Sequence, residues 1–152
     1  MLVRCLYASR LDPAATEGVL DDILRQSRHN NLKRGITGML CFTNGVFAQV
    51  IEGGRAEVSA LLGRIFADRR HTDLQILLFE EIAQRRFGNW TMGQVNINAV
   101  NPGLLLKYSE KAELDPFICS GASTMSLLLE IADAGAIAHR PAQGQRPGPP
   151  IE

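Results

Sequence analysis

Tyr7 and Gln49 are the two side chains whose type and setting most invite chemistry. Each lies in an alternating segment, LVRCLYAS and VFAQVIEG, and shares a face with apolar residues: Val3 and Cys5 beside Tyr7, Phe47 and Ile51 beside Gln49. Side chains two apart on a strand project to one side of the sheet, so if that side is the core a carboxamide is buried there. A buried amide offers two donors and two acceptor sites, and leaving it unpaired costs about 1–3 kcal/mol. A bond between Tyr7 and Gln49 meets part of that demand; the rest must go to backbone, water or a ligand.

Other polar groups converge on the same region. The stripe Leu20, Leu24, Ser27, Asn31 carries an apolar helical row into polar residues. Asparagine near a helix end is also an ordinary cap, and tyrosine an ordinary amphipathic core residue. Arg64 stands at the margin of a second apolar helix face, where it can snorkel to solvent or donate to a ligand between the helices. The helix end ADRRH, with Arg70 and His71, complements the helix dipole or forms a small anion site. Trp90 and Met92, two apart in WTMGQVNI, share a strand face on period-two spacing, as core or as the wall of an inter-helix cleft.

The elements that must position these groups follow from periodicity. A first strand covers Leu2–Ser9, with Arg4 discordant in an apolar run. A helix starts near Thr16, which can accept from first-turn amides, and ends at Asn30 or Asn31. ITGMLCFT and VFAQVIEG flank Asn44-Gly45, a strong hairpin signal because both central positions of a type I′ turn need positive φ. Val58, Leu61, Leu62, Ile65 and Phe66 mark a second helix from about Arg55 to Asp68. DLQILLFEEI and WTMGQVNI read as two further strands, and GLLLKYSEKAEL and STMSLLLEIADAGA as shorter helices. The order β-α-β-β-α-β-β predicts a mixed sheet with both helices on one face, the other face being covered by the last helices or a second subunit.

Composition narrows the function. In 152 residues, sixteen basic side chains balance sixteen acidic ones, so no global field draws nucleic acid or an anionic membrane. Three scattered cysteines among apolar neighbours suit buried thiols in a reducing cytosol, and no CxxC or Cys/His cluster proposes a metal site. No uncharged apolar run reaches about 18 residues, so a cytoplasmic protein is expected. The last fourteen residues, HRPAQGQRPGPPIE, hold four of the seven prolines and no periodicity, which predicts disorder over 139–152.

Taken in order, LYAS with Tyr7, SRHNNLKRGITGMLCFTNGVFAQVIEG, RIFADRRH and IAQRRFGNWTM make the chain resemble a BLUF domain over residues 1–97. The resemblance implies an α+β, ferredoxin-like sandwich: a five-stranded mixed sheet with two helices on one face, and the helical extension 98–138 on or near the other. It implies a flavin, normally FAD with FMN or riboflavin possible, held noncovalently between the first two helices. Asn31 and its neighbour Asn30 would meet the polar edge of the ring and Arg64 its pyrimidine carbonyl. Ile23 would pack on the ring, and Arg70 and His71 would lie along the ribityl and phosphate arm. Gln49 corresponds to the family's switching glutamine, set between flavin and Tyr7. Tyr7 would supply an electron and then a proton, and back-transfer would leave the ring oxidised but the amide rotated or tautomerised. Met92 or Trp90 would sense the change, the two competing for one place near the ring.

The resulting expectation is a non-enzymatic blue-light receptor of short type, homo-oligomeric, acting on a separate effector protein, with no nucleic acid or membrane partner. One alternative is a ferredoxin-like enzyme acting on a small acidic substrate bound by Arg64 and His71, with Tyr7 as proton donor. Another is a flavin redox-sensing module.

Overall fold

A computed structural model describes residues 1–15 and 18–134. Five strands, β1 Leu2–Leu11, β2 Thr37–Thr43, β3 Val46–Gly54, β4 His71–Ile82 and β5 Gly93–Val95, form one sheet in the order β4-β1-β3-β2-β5. All pairs are antiparallel except β2–β5, which is parallel. The helices are α1 Val19–Asn31, α2 Arg55–Ala67, α3 Pro102–Tyr108 and α4 Gly121–Asp133. The expected α+β, ferredoxin-like arrangement is the one observed.

The sheet separates two apolar layers. On one face Val3, Cys5, Tyr7, Leu40, Phe47 and Ile51 pack against Ile23 and Leu24 of α1 and Val58 and Leu62 of α2. On the other, Leu6, Met39, Cys41 and Val50 meet Leu105 of α3 and Leu127, Leu128 and Ile131 of α4. Because β1 and β3 are interior strands covered on both faces, they carry apolar residues at odd and even positions alike. The β2–β3 hairpin turns at Asn44 and Gly45 with φ of 51° and 74°, the positive pair that a type I′ turn requires. Helix α4 approaches the sheet so closely that a Cβ on Gly121 would stand 2.4 Å from the carbonyl oxygen of Leu77.

Arg4, the misfit of β1, finds its reason 48 residues away. It faces Glu52 on β3, with Nε 2.9 Å from Oε2 of a carboxylate that is fully buried. The main-chain N–H groups of Arg86 and Phe87 donate to the same carboxylate, so the charge is paired and its lone pairs are used. Arg85 donates to Gly35 O, Thr37 Oγ1 and Glu52 O, tying the loop after β4 to the end of β3 and the start of β2.

Several boundaries differ from expectation. Helix α1 begins at Val19 behind Gly18, whose φ is 83°, and Thr16 lies outside the described residues, as does the tail 139–152. GLLLKYSEKAEL is helical only to Tyr108. The strand expected over WTMGQVNI runs only from Gly93 to Val95, with an isolated bridge at Trp90 and a bend at Thr91 and Met92. Period-two spacing holds only for extended chain, so Trp90 and Met92 do not share a face: Met92 belongs to the α1/α2 layer, and Trp90 packs on the α3/α4 layer. Among the described residues no helix is long and apolar enough to cross a membrane.

Candidate functional site

A cleft of about 280 Å³ opens between α1 and α2. Ile23, Gln26, Ser27, Asn30, Asn31 and Arg34 line it from α1 and the turn after it, Leu61, Arg64 and Ile65 from α2, Asp68 and Arg70 from the turn into β4, and His71 from its first position; Gln49 forms its floor. Of the side chains singled out in the sequence, the structure thus gathers Ile23, Asn30, Asn31, Gln49, Arg64, Arg70 and His71 around one space.

Beneath the floor lies the hydrogen-bonded chain Tyr7–Gln49–Met92. Tyr7 and Gln49 are Cα partners in the β1–β3 ladder, which places both side chains on the same face. The Tyr7 hydroxyl donates to Gln49 Oε1, and Gln49 Nε2 lies 3.1 Å from Met92 Sδ. Burial, with smaller contributions from Cys5 and Asp68, holds the Tyr7 pKa far above its ordinary value, so the phenol keeps its proton and acts as a donor. Burial also pushes the Cys5 and Cys41 thiols up to about 12, which leaves them unreactive. Met92, fully buried, holds the inner position that the sequence left open between itself and Trp90.

The walls divide into committed and available groups. Asn31 is 3 % exposed and donates through Nδ2 to Thr91 O at 3.2 Å; among the described residues none donates to its Oδ1. Asn30 and Arg64 are exposed on the rim. Arg70 is engaged: its guanidinium grips Asp68 and reaches Gln26 Oε1 at 3.1 Å. Burial raises the Asp68 pKa, but the hydrogen bonds and charge of Arg70, helped by His71, outweigh it and keep the carboxyl below its ordinary value. His71 is lowered chiefly by its own burial; its Nδ1 sits 2.8 Å from Ser9 Oγ and its ring packs on Phe47. An acidic Asp68 thus lies against both Arg70 and His71 on this wall.

Ser9, His71 and Asp68 were not connected by sequence reading, although Ser9 lies two residues from Tyr7 on the same strand face. Their order resembles a nucleophile–base–acid array, yet Ser9 is fully buried and cannot reach a substrate, and Nε2 of His71 is 3.9 Å from Asp68.

An isoalloxazine edge alternates carbonyl acceptors with an N–H donor. The side-chain amides of Asn31 and Asn30, the guanidinium of Arg64 and the amide of Gln49 supply the matching donors and acceptors, with Ile23, Leu61 and Ile65 as apolar walls. The residues present fit the group.

A ferredoxin-like sandwich with an amide-floored cleft between α1 and α2 defines a domain whose cleft suits the polar edge of a flavin. Comparison with known proteins gives the family. The model of BLUF, sensors of blue-light using FAD, matches residues 2–93, and the chain belongs to that family. Its fold is similar to that of BlrB, a BLUF protein in its dark state, with a TM-score of 0.73 and 32 % identity over 88 % of this chain and 96 % of that one. It is also similar to BlsA in its photo-activated state, with a TM-score of 0.76 and 29 % identity over 92 % of this chain and 98 % of that one. Among curated relatives, photoactivated adenylate cyclase subunit beta of Euglena gracilis is 35 % identical over 85 residues, and the blue light- and temperature-regulated antirepressor BluF of Escherichia coli (strain K12) 27 % over 88. Those matches cover 55 % and 58 % of this chain but only 9 % and 22 % of the relatives. As a BLUF domain, the chain senses blue light through a flavin.

Proposed function

We propose that the chain acts without catalytic activity of its own, as a cytoplasmic photoreceptor that changes its contacts with a separate effector protein, and that Tyr7, Gln49 and Met92 form its switch. The observation that carries this reading is the double engagement of Gln49: a phenol donates to one end of its amide, a thioether meets the other, and the same side chain floors the cleft. Asn31, Asn30, Arg64 and Ile23 would hold the ring and the Arg70–His71 wall its side arm, FAD being the family's flavin and FMN or riboflavin also accommodated. When bound, the flavin supplies visible absorption and an excited-state oxidant.

The residues then behave as their bonding dictates. A phenol that loses an electron becomes strongly acidic, and the acceptor in line with the Tyr7 proton is Gln49 Oε1. An amide that rotates or tautomerises exchanges its donor and acceptor ends. After rotation its oxygen would face Met92 Sδ, which has no proton to give. The inward Met92 loses about 1 kcal/mol of support, enough to shift a two-state equilibrium several-fold. Because Trp90, two residues earlier, packs on the α3/α4 layer, movement of the bend reaches the opposite face of the sheet. The effector would read that face, where a second copy of the chain can also dock.

Flavin retention tests the reading. The purified wild type should carry flavin and show a reversible red shift under blue light, and Asn31→Ala should lose much of its flavin during purification. Full occupancy in that variant would remove Asn31 from the site, and a colourless wild type would remove the site itself.

A further inference from the structure

The main chain from Trp90 to Met92 is held in an unusual way. It lies outside the paired part of β5, yet its three successive carbonyls all accept hydrogen bonds: Trp90 O from Gly38 N at 2.9 Å, Thr91 O from Asn31 Nδ2 at 3.2 Å, and Met92 O from Arg28 Nε at 3.2 Å. Two of the three donors are side chains of α1. Arg28 and Asn31 are three residues apart, hence neighbours on one helix face, and they meet consecutive carbonyls of the bend. At Thr91 and Met92 side chains of α1 thus take the place of the strand β2, which reaches only Trp90.

We infer that Arg28 is a positioning residue of the switch: it latches the main chain of Met92 to α1 so that the sulfur stays against Gln49. Arg28 lies outside the cleft lining, so its contribution passes through Met92. The latch makes α1, which forms one wall of the cleft, also the clamp on the segment leading to Trp90. Its importance for signalling rests on the switch proposed above, but the latch is a property of the dark protein and is measured there.

Two substitutions isolate the hydrogen bond. In Arg28→Gln the amide nitrogen occupies the place of Nε in the side chain and keeps a donor without the charge. In Arg28→Met a methyl group takes that place with no donor. Hydrogen–deuterium exchange of flavin-loaded full-length protein in the dark, followed in peptides spanning Trp90 to Val95, should quicken about fivefold in Arg28→Met, as expected for losing one hydrogen bond, and stay within about twofold of wild type in Arg28→Gln. Unchanged exchange in Arg28→Met overturns the inference, as does equal acceleration in both variants, which would make charge or packing the cause. A wild type whose absorption does not respond to light would overturn the switch and leave the latch to be judged on the dark exchange alone.

Discussion

Replacing Gln49 by Leu removes an amide and leaves its partner in place, so its cost can be worked from the geometry. The Tyr7 side chain is 2 % exposed and donates to Gln49, and without that acceptor its hydroxyl is a buried orphan costing about 1–3 kcal/mol. Tyr7→Phe leaves Gln49 Oε1 without its donor, but that amide floors the cleft, so the loss should fall near the lower end of the same range. Combining the two removes donor and acceptor together, and the double variant should be less destabilised than the sum of the singles by about 1–2 kcal/mol. For a chain of this size each kcal/mol is worth roughly 2–4 °C in Tm, so Gln49→Leu alone should lower it by about 2–12 °C. Denaturant unfolding of the four proteins in the flavin-free form closes the cycle without mixing ligand stabilisation into the difference. Additivity within about 0.5 kcal/mol would show that Tyr7 and Gln49 are not bonded in the folded protein, and the switch would lose its first link.

Two further substitutions probe the frame around the switch. Glu52→Gln keeps the shape but strips the charge that Arg4 and two main-chain N–H groups face in a fully buried setting, and should cost about 3–5 kcal/mol in denaturant unfolding; a loss below about 1 kcal/mol would show that the pair does not hold the loop. His71 has a folded-state pKa depressed by burial, so the unfolded chain binds protons more readily below its ordinary value of about 6.5. Its contribution to stability is full above that pH and is lost as the pH falls below it toward the folded-state value. His71→Gln should therefore flatten the decline of Tm between about pH 6.5 and 5, and an identical slope in both proteins would contradict the burial of a neutral imidazole.

The readable parts of the fold were those set by local spacing. The hairpin followed from Asn44-Gly45, and the Tyr7–Gln49 pair from period-two alternation in two strands that proved to be neighbours. The convergence of Asn31 and Arg64 on one cleft followed once both helices were placed on one face. The unreadable parts depended on contacts between distant positions or on departures from regular geometry. Glu52 looks like a polar residue ending a strand, and only the register of β1 against β3 shows that it answers Arg4. The bend at Thr91–Met92 breaks the alternation on which the shared face of Trp90 and Met92 was based. Arg28 carries no sequence signal of its role, because its partner is a main-chain carbonyl 64 residues away. Asp68 was legible as a helix-end charge, but its grip on Arg70 needed the turn geometry that brings the two side chains together.

In the switch proposed above, the side-chain amide of Gln49 holds the light signal by exchanging its donor and acceptor ends. A light-minus-dark infrared difference spectrum of the flavin-loaded protein, prepared with isotope-labelled glutamine, tests it most directly. A label-sensitive change in the side-chain amide bands should appear with the red shift, decay with it in the dark and be missing in Gln49→Leu. A wild type whose visible band shifts and recovers while every glutamine band stays still would contradict it.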